Sequence, residues 1–185
     1  MNIRFLPALA AASVFALAAP ALAQDAPKAD SAAAAKPAAS PEPGTFGGQR
    51  ITFRATMADT ILADDAGKAE AVIVTTSYIK TPVDPSRPVF FIYNGGPGSG
   101  SVWLQMGAFG PKRVAIPSDA KDDGAPPYPL LDNPDSLLDV ADLVFIDPPG
   151  TGFSHLTQGT DPKKYYGLRQ DGRAIAKVIR RWLND

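Results

Sequence analysis

Residues 88–99 read PVFFIYNGGPGS, a continuous apolar run that ends abruptly in asparagine, glycine and proline. Residues 142–147, DLVFID, have the same character and are followed directly by PPGTG. Strands that are apolar on both faces are typical of the middle of a parallel sheet covered by helices. The two runs therefore predict an α/β protein in which two parallel strands end at a common edge, where such sheets carry their functional sites.

The segments around these two apolar runs complete the predicted order of secondary-structure elements. Residues 49–54 and 69–80 alternate or are β-branched and predict an antiparallel hairpin, with its turn at residues 64–67. Residues 101–108 predict a short helix, followed by a loop rich in Pro, Asp and Gly to about residue 135. The resulting order is β-β-β-α-β-α, closed by a helix over residues 168–183. An α/β pattern of this kind calls for a further parallel strand after that helix.

The last helix is predicted from its apolar periodicity. One stripe, spaced as on a helix that lies on a sheet, contains Ile175, Val178, Ile179, Trp182 and Leu183. Asp171 near the helix start and Arg180-Arg181 near its end suit the two ends of the helix dipole.

The first 48 residues are expected to lie outside the folded domain. Residues 1–23 contain Arg4, an apolar stretch and a small-x-small site, Ala21-Leu22-Ala23, which is the layout of a secretory signal peptide. The apolar stretch is too short and too rich in Ala to span a membrane, so no stable span is expected after cleavage. Residues 24–48 predict a disordered linker rich in Ala and Pro, which leaves residues 49–185 as the domain. We expect an exported protein, periplasmic or extracellular.

Composition excludes several function classes. The 185 residues have a net charge of −1 at pH 7, and Lys and Arg are not clustered, so no nucleic-acid partner is expected. The absence of cysteine excludes disulfides, thiolate metal sites and thiol chemistry. No spacing typical of metal ligands occurs, and neither a metal nor a cofactor is expected.

The loop from Asn94 to Ser99 has the properties that an oxyanion hole requires. Its glycines leave backbone N–H groups unobstructed, and Pro97 stiffens the turn, so that donors are fixed before charge develops. A tight strand-to-helix turn without a ligand is the alternative. A phosphate cradle is disfavoured because neither the P-loop nor the G-x-G-x-x-G spacing is present.

Four blocks in order resemble the serine carboxypeptidase family: residues 94–99 (NGGPGS), Gly110-Pro111, residues 133–137 (NPDSL) and residues 145–154 (FIDPPGTGFS). The resemblance implies the N-terminal half of an α/β-hydrolase sheet, with the nucleophile strand and later elements missing. It implies a serine peptidase that releases C-terminal residues through an acyl-enzyme. In its lack of cysteine, the chain resembles bacterial members of the family.

Carried over to this sequence, the family's site falls on three neighbouring residues. Gly96 would supply one backbone N–H of the oxyanion hole. The Asn94 side chain, helped by the N–H of Gly95, would bind the free C-terminal carboxylate of a peptide substrate. Because Asn donates without carrying a charge, this half of the site should work in mildly acidic conditions.

Two departures from the family pattern bear on activity. Ala108 stands where many members carry an acidic residue before the Gly-Pro pair, which would weaken carboxylate recognition. The G-x-S-x-G nucleophile elbow occurs nowhere in the 185 residues, and the family's Asp and His come later still. We therefore expect a truncated chain that is inactive as a hydrolase on its own.

We expect the other notable polar and aromatic residues to have structural roles, with one open case at Trp103. His155 is the only histidine, and it is not expected to be catalytic because it follows a block where the family does not place its base. Asp147 is predicted to order its loop, and Tyr165-Tyr166 and Trp182 to pack. Trp103 is expected either in the substrate cleft or in the core.

Two other function classes stay open. Proline-releasing aminopeptidases also carry a Gly-Gly-Pro-Gly turn, although they usually show a histidine where this chain has Asn94. A non-catalytic remnant or interaction protein is the second class. The open side of the strand at residues 88–93 is an apolar edge, which predicts that the isolated chain aggregates or unfolds.

Overall fold

The structure is a computed structural model that describes residues 40–95, 98–116, 119, 121 and 126–184. The predicted signal peptide and most of the predicted linker lie outside these residues. None of the helices in the described part of the chain is long and apolar enough to cross a membrane.

The strands of the described residues, numbered along the chain, are β1 Glu42–Phe46, β2 Gln49–Ala63, β3 Ala69–Lys80, β4 Val89–Ile92, β5 Lys112–Val114, β6 Leu130–Asp132, β7 Asp142–Ile146 and β8 His155–Leu156. Six of them form one mixed sheet with the order β1-β2-β3-β7-β4, and β8 pairs with the start of β3. The parallel pair of β4 with β7 and the antiparallel pair of β2 with β3 are as predicted, and the remaining pairs of this sheet are antiparallel.

The helices are short except for the last. α1 spans Val102–Leu104 and continues as a π-helix over Gln105–Phe109, where a single short helix was predicted. The predicted loop to about residue 135 contains the β5–β6 hairpin. Leu137–Asp139 and Pro162–Lys164 form 3₁₀ turns, and α2 spans Leu168–Trp182.

β1 corrects the predicted domain boundary. The linker prediction ran to residue 48, but Glu42–Phe46 pairs with β2, and Gly47 and Gly48, both at positive φ, make the two-residue turn between them. Phe46 is 1% exposed, and its ring packs edge-on against Phe53 with centroids 5.8 Å apart. Pro43 and Gly44 concealed this strand from sequence reasoning, because both residues are rare in strand interiors.

α2 covers one face of the sheet. Ala174, Ile175 and Val178 are buried against β3 and β7, and the Trp182 ring packs edge-on against Phe91 of β4. The predicted stripe is correct except at Leu183, which is 61% exposed because it lies beyond the last helical turn.

The opposite face is an aromatic row that links four strands. Phe46, Phe53, Tyr78 and Phe145 contact one another in sequence, edge to face, with centroids 5.8 to 5.9 Å apart. Edge-to-face pairs of this kind each add about 1 kcal/mol to the free energy gained by burial. The row therefore couples the N-terminal hairpin to the central strand β7.

An ion pair fixes the amino ends of β4 and β7. The Arg87 guanidinium donates to Asp142 Oδ1 at 3.1 Å and to the carbonyl oxygen of Leu138 at 2.6 Å. Asp142 also accepts the N–H of Lys80 at 3.0 Å, and both charged side chains are almost fully buried. Because a buried pair needs such extra hydrogen bonds to offset its desolvation, this arrangement defines one register for the parallel pair.

β4 is the last strand of the sheet among the described residues. β7 pairs with one side of β4, whereas Phe90 is 44% exposed and the neighbouring Tyr93 47% exposed. The apolar edge that the sequence predicted is thus present in the structure, and unpaired strand edges promote association.

We predict that Phe90→Lys weakens self-association of the purified chain about tenfold, since it replaces an exposed apolar ring on the edge with a charge. Sedimentation velocity at several concentrations measures the change. Val83→Lys is the matched control, because Val83 is 71% exposed but lies off the strand. A chain that stays monomeric before substitution contradicts the prediction.

Candidate active site

The loops that follow β4 and β7 are joined by the carboxylate of Asp147. Its Oδ1 accepts the N–H of Ser101 at 2.8 Å, and its Oδ2 accepts the N–H of Phe153 at 3.0 Å. One side chain at the end of β7 therefore holds both loops. The predicted loop-ordering role of Asp147 is confirmed.

Two glycines allow this close approach. Gly152 lies at φ +52°, and a side chain there would collide with the Asp147 carboxylate. A Cβ at Gly100 would lie 3.1 Å from the backbone of Gly152. Glycine suits position 152 because of its positive φ and the adjacent carboxylate, and it suits position 100 because the two loops meet backbone to backbone there.

The serines of these loops are structural. The Ser154 hydroxyl donates to the carbonyl oxygen of Asp147 at 2.7 Å and accepts the N–H of Val74 at 2.8 Å. The Ser101 hydroxyl donates to the carbonyl oxygen of Ile146. His155 is exposed, and its Nδ1 lies 3.3 Å from the carbonyl oxygen of Phe153. Nothing in this geometry pairs a serine with the histidine for catalysis.

The predicted carboxylate site lies at the start of the glycine loop. Asn94 Nδ2 donates to the Ser99 hydroxyl at 2.5 Å, and the N–H of Gly95 donates to Asn94 Oδ1 at 3.1 Å. In the structure, therefore, the Asn94 amide and the N–H of Gly95 are both engaged in hydrogen bonds within the loop. Gly96, predicted to supply the oxyanion N–H, lies outside the described residues.

The middle two sequence blocks contact each other beside this loop. Asn133 Nδ2 donates to the carbonyl oxygens of Ala108 and Gly110, each at 2.8 Å, and the Ser136 hydroxyl donates to that of Phe109 at 2.7 Å. These bonds satisfy the carbonyls at the end of the π-helix. Ala108 therefore presents its backbone to Asn133, and no acidic side chain is available at that position.

A cavity of about 760 Å³ opens between the two loops and the start of α2. It is lined by Gly98, residues 148–151, residues 165–168 and Asp171. Tyr165 is buried, as predicted, but Tyr166 is half exposed and faces this cavity. Trp103 is 68% exposed, which excludes a place in the core.

Asp171 is the feature of this region that sequence reasoning missed. Its Oδ1 is buried and has no hydrogen-bond partner, and burial raises the pKa of the carboxyl group. The sequence suggested only a favourable position on the helix dipole. Residues 148–151 line the same cavity as Asp171, and this proximity is a tertiary feature that no local sequence pattern shows.

We predict that Asp147→Ala lowers the free energy of unfolding by about 2 kcal/mol, because the N–H groups of Ser101 and Phe153 lose a charged acceptor. Hydrogen exchange at the N–H groups of Ser101 and Phe153 should accelerate with it. Asp59→Ala, at an exposed position of β2, is the control. Unchanged protection of both N–H groups would disprove the bridging role.

Asp171→Asn should raise the free energy of unfolding at pH 7 by up to about 1 kcal/mol, discounted for partial solvent exposure. The folded-state pKa lies above the unfolded value, so ionisation destabilises the fold as pH rises through that interval. The gain should shrink as pH falls through about pH 4 and vanish by about pH 3, where the carboxyl group is neutral in both states. Guanidinium unfolding at about pH 3 and pH 7 measures both values, and a variant that is less stable at pH 7 contradicts the argument.

The chain is similar to proteins of one known family. A sequence model of the serine carboxypeptidase family matches residues 77–185, more than half of the chain, including both loops. Among solved structures, a prohormone-processing carboxypeptidase from Saccharomyces cerevisiae is 28% identical, with a TM-score of 0.42 over 61% of this chain and 23% of that one. The chain thus spans less than a quarter of that carboxypeptidase. No curated protein matches. The chain belongs to the serine carboxypeptidase family.

Proposed function

We propose that this chain provides the substrate-binding part of a serine carboxypeptidase, the part that holds the C-terminal end of a peptide. The family match across residues 77–185 carries the proposal, because it includes the glycine loop and the loop that Asp147 anchors. It also favours this function over a proline-releasing aminopeptidase.

Recognition would begin at Asn94. Its amide group exchanges the Ser99 hydroxyl for one oxygen of the substrate carboxylate, while the N–H of Gly95 turns from the Asn94 carbonyl to the other oxygen. A peptide's terminal carboxylate is ionised above about pH 3.5, and these donors are neutral and do not titrate. Binding should therefore persist in mildly acidic solution. Internal peptide bonds offer no such carboxylate, which makes the activity an exopeptidase activity.

The N–H of Gly96 would stabilise the oxyanion of the tetrahedral intermediate. A fixed donor of this kind contributes about 10²–10³ to the rate. The Asp147 carboxylate serves the loop indirectly, since it holds the N–H of Ser101, and the Ser101 hydroxyl in turn accepts the N–H of Asn94 at 3.3 Å. Asp147 is in this sense a positioning residue.

The 185 residues contain no G-x-S-x-G segment and so lack the sequence pattern of the family's nucleophile. We expect the chain to bind peptides without hydrolysing them. The parallel β4–β7 pair beside the antiparallel strands supports assignment of the sheet as one half of an α/β-hydrolase sheet.

Export is part of the proposal. It is supported by the signal-peptide pattern of residues 1–23. A periplasmic or extracellular enzyme would meet peptides with free C-terminal carboxylates.

The test compares two N-blocked dipeptides, one with a free carboxylate and one with a C-terminal amide, by calorimetric titration of the purified chain. The acid should bind about tenfold more tightly, because charge-assisted hydrogen bonds form only with the carboxylate. Asn94→Ala should remove that difference, whereas Asn184→Ala, near the end of the described chain, should retain it. Equal affinity for acid and amide in the original chain would refute the proposed site.

A further inference from the structure

We propose that Asn94 and Gly95 form a site of spontaneous deamidation, at which the Asn94 amide becomes a carboxylate and the proposed binding of peptide carboxylates is lost. The geometry of the loop alone supports the modification, whereas the loss of peptide binding rests on the proposed function.

Asn94 is followed by glycine, the residue that least obstructs this reaction. The backbone nitrogen of the following residue attacks Cγ of the asparagine, the Cγ–Nδ2 bond breaks, and the proton of the attacking nitrogen leaves with Nδ2 as ammonia. The cyclic imide that remains takes up one water molecule and opens at either carbonyl, which gives Asp or its β-linked isomer. A side chain on the attacking residue would crowd its nitrogen, and Gly95 has none.

The structure places the attacking nitrogen beside the group that it attacks. The N–H of Gly95 donates to Asn94 Oδ1 at 3.1 Å, and Oδ1 is bonded directly to Cγ. At the other end of the amide group, Nδ2 donates to the Ser99 hydroxyl at 2.5 Å, so that two contacts hold the side chain in this orientation. A hydroxyl group at Nδ2 can also pass a proton to the departing ammonia.

The backbone around Gly95 has room for the ring to close. β4 ends at Ile92 and α1 begins at Val102, so Asn94 and Gly95 lie outside both elements. Gly95 is exposed, and a Cβ at this position would meet no atom of a non-adjacent described residue within 4 Å. Helices and strands resist the backbone rotation that ring closure requires, because their hydrogen bonds fix φ and ψ. Regular secondary structure imposes no such restraint here.

The two other asparagines of the described residues lack this combination. Asn133 is followed by Pro134, whose nitrogen has no hydrogen to lose, and the Asn133 side chain is buried and donates to two carbonyl oxygens. Asn184 is followed by an aspartate, and its amide donates to the carbonyl oxygen of Arg180 at 2.8 Å. Among the described residues, Asn94 is therefore the asparagine at which we expect rapid deamidation.

Deamidation would reverse the electrostatics of the proposed carboxylate site. The Asn94 amide is neutral and donates through Nδ2, whereas the carboxylate of the product only accepts hydrogen bonds and is charged above about pH 4. This charge repels the ionised terminal carboxylate of a peptide. Peptide binding should thus decline as the protein ages, and a bound peptide that occupies Nδ2 and the N–H of Gly95 should slow the reaction.

The experiment incubates the full purified chain and follows each asparagine by mass spectrometry of its proteolytic peptides. At about pH 8, Asn94 should convert about tenfold faster than Asn184, and conversion should slow at about pH 5, because attack requires loss of the proton from the backbone nitrogen. Asn133 should stay intact.

Gly95→Ala should slow the conversion of Asn94 about tenfold, because the added methyl group hinders the attacking nitrogen. The substitution should preserve the fold, since φ of Gly95 lies outside the left-handed region and the new Cβ has open space. Gly107→Ala is the matched control, because Gly107 has the same open space in the π-helix, and it should leave the rate unchanged.

An Asn94 that converts no faster than Asn184, or equally fast in Gly95→Ala and the original chain, would overturn the proposed modification. The aged chain and Asn94→Asp should both lose the preference for the N-blocked acid dipeptide over its amide, and the acid dipeptide should slow conversion. An aged, converted chain that keeps the preference would refute the loss of binding. Rapid conversion in a chain that never prefers the acid would support the modification and refute the carboxylate site at Asn94.

Discussion

The geometry of this molecule depends on one carboxylate at the end of a buried strand. Asp147 bonds to the backbone of both loops at the carboxyl edge, and glycine at positions 100 and 152 lets those loops touch. Charge-assisted bonds to backbone N–H groups are stronger than neutral ones and fix direction as well as distance. The chain directly after the glycine loop is thus attached to the end of β7 through the N–H of Ser101.

The elements that were predicted correctly from the sequence are those whose side chains are buried in the sheet. The runs at residues 88–93 and 142–147 predicted a parallel pair, and β7 is buried throughout because strands flank it and packed side chains cover both its faces. The hairpin of β2 and β3 follows from β-branched residues and the turn at residues 64–67. In these segments local preference and tertiary burial favour the same structure.

Prediction failed where a residue's role depends on distant partners. β1 forms despite Pro43 and Gly44 because Phe46 is buried against the ring of Phe53, a contact that composition does not reveal. From the sequence, Asp171 is predicted only to lie near the start of a helix, whereas the structure places its carboxylate beside a cavity. The block at residues 94–99 predicted a binding role for Asn94 and Gly95, but their hydrogen bonds within the loop are seen only in the structure.

The aromatic row determines the shortest segment of the chain that we expect to fold when it is expressed alone. The region matched by the family starts at Ser77, in the middle of β3, but Tyr78 in that region packs on Phe53, which packs on Phe46. A recombinant version cut at either residue 49 or residue 77 would leave rings on the central sheet facing solvent. Expression boundaries therefore belong upstream of Glu42, even though the family signature begins 35 residues later.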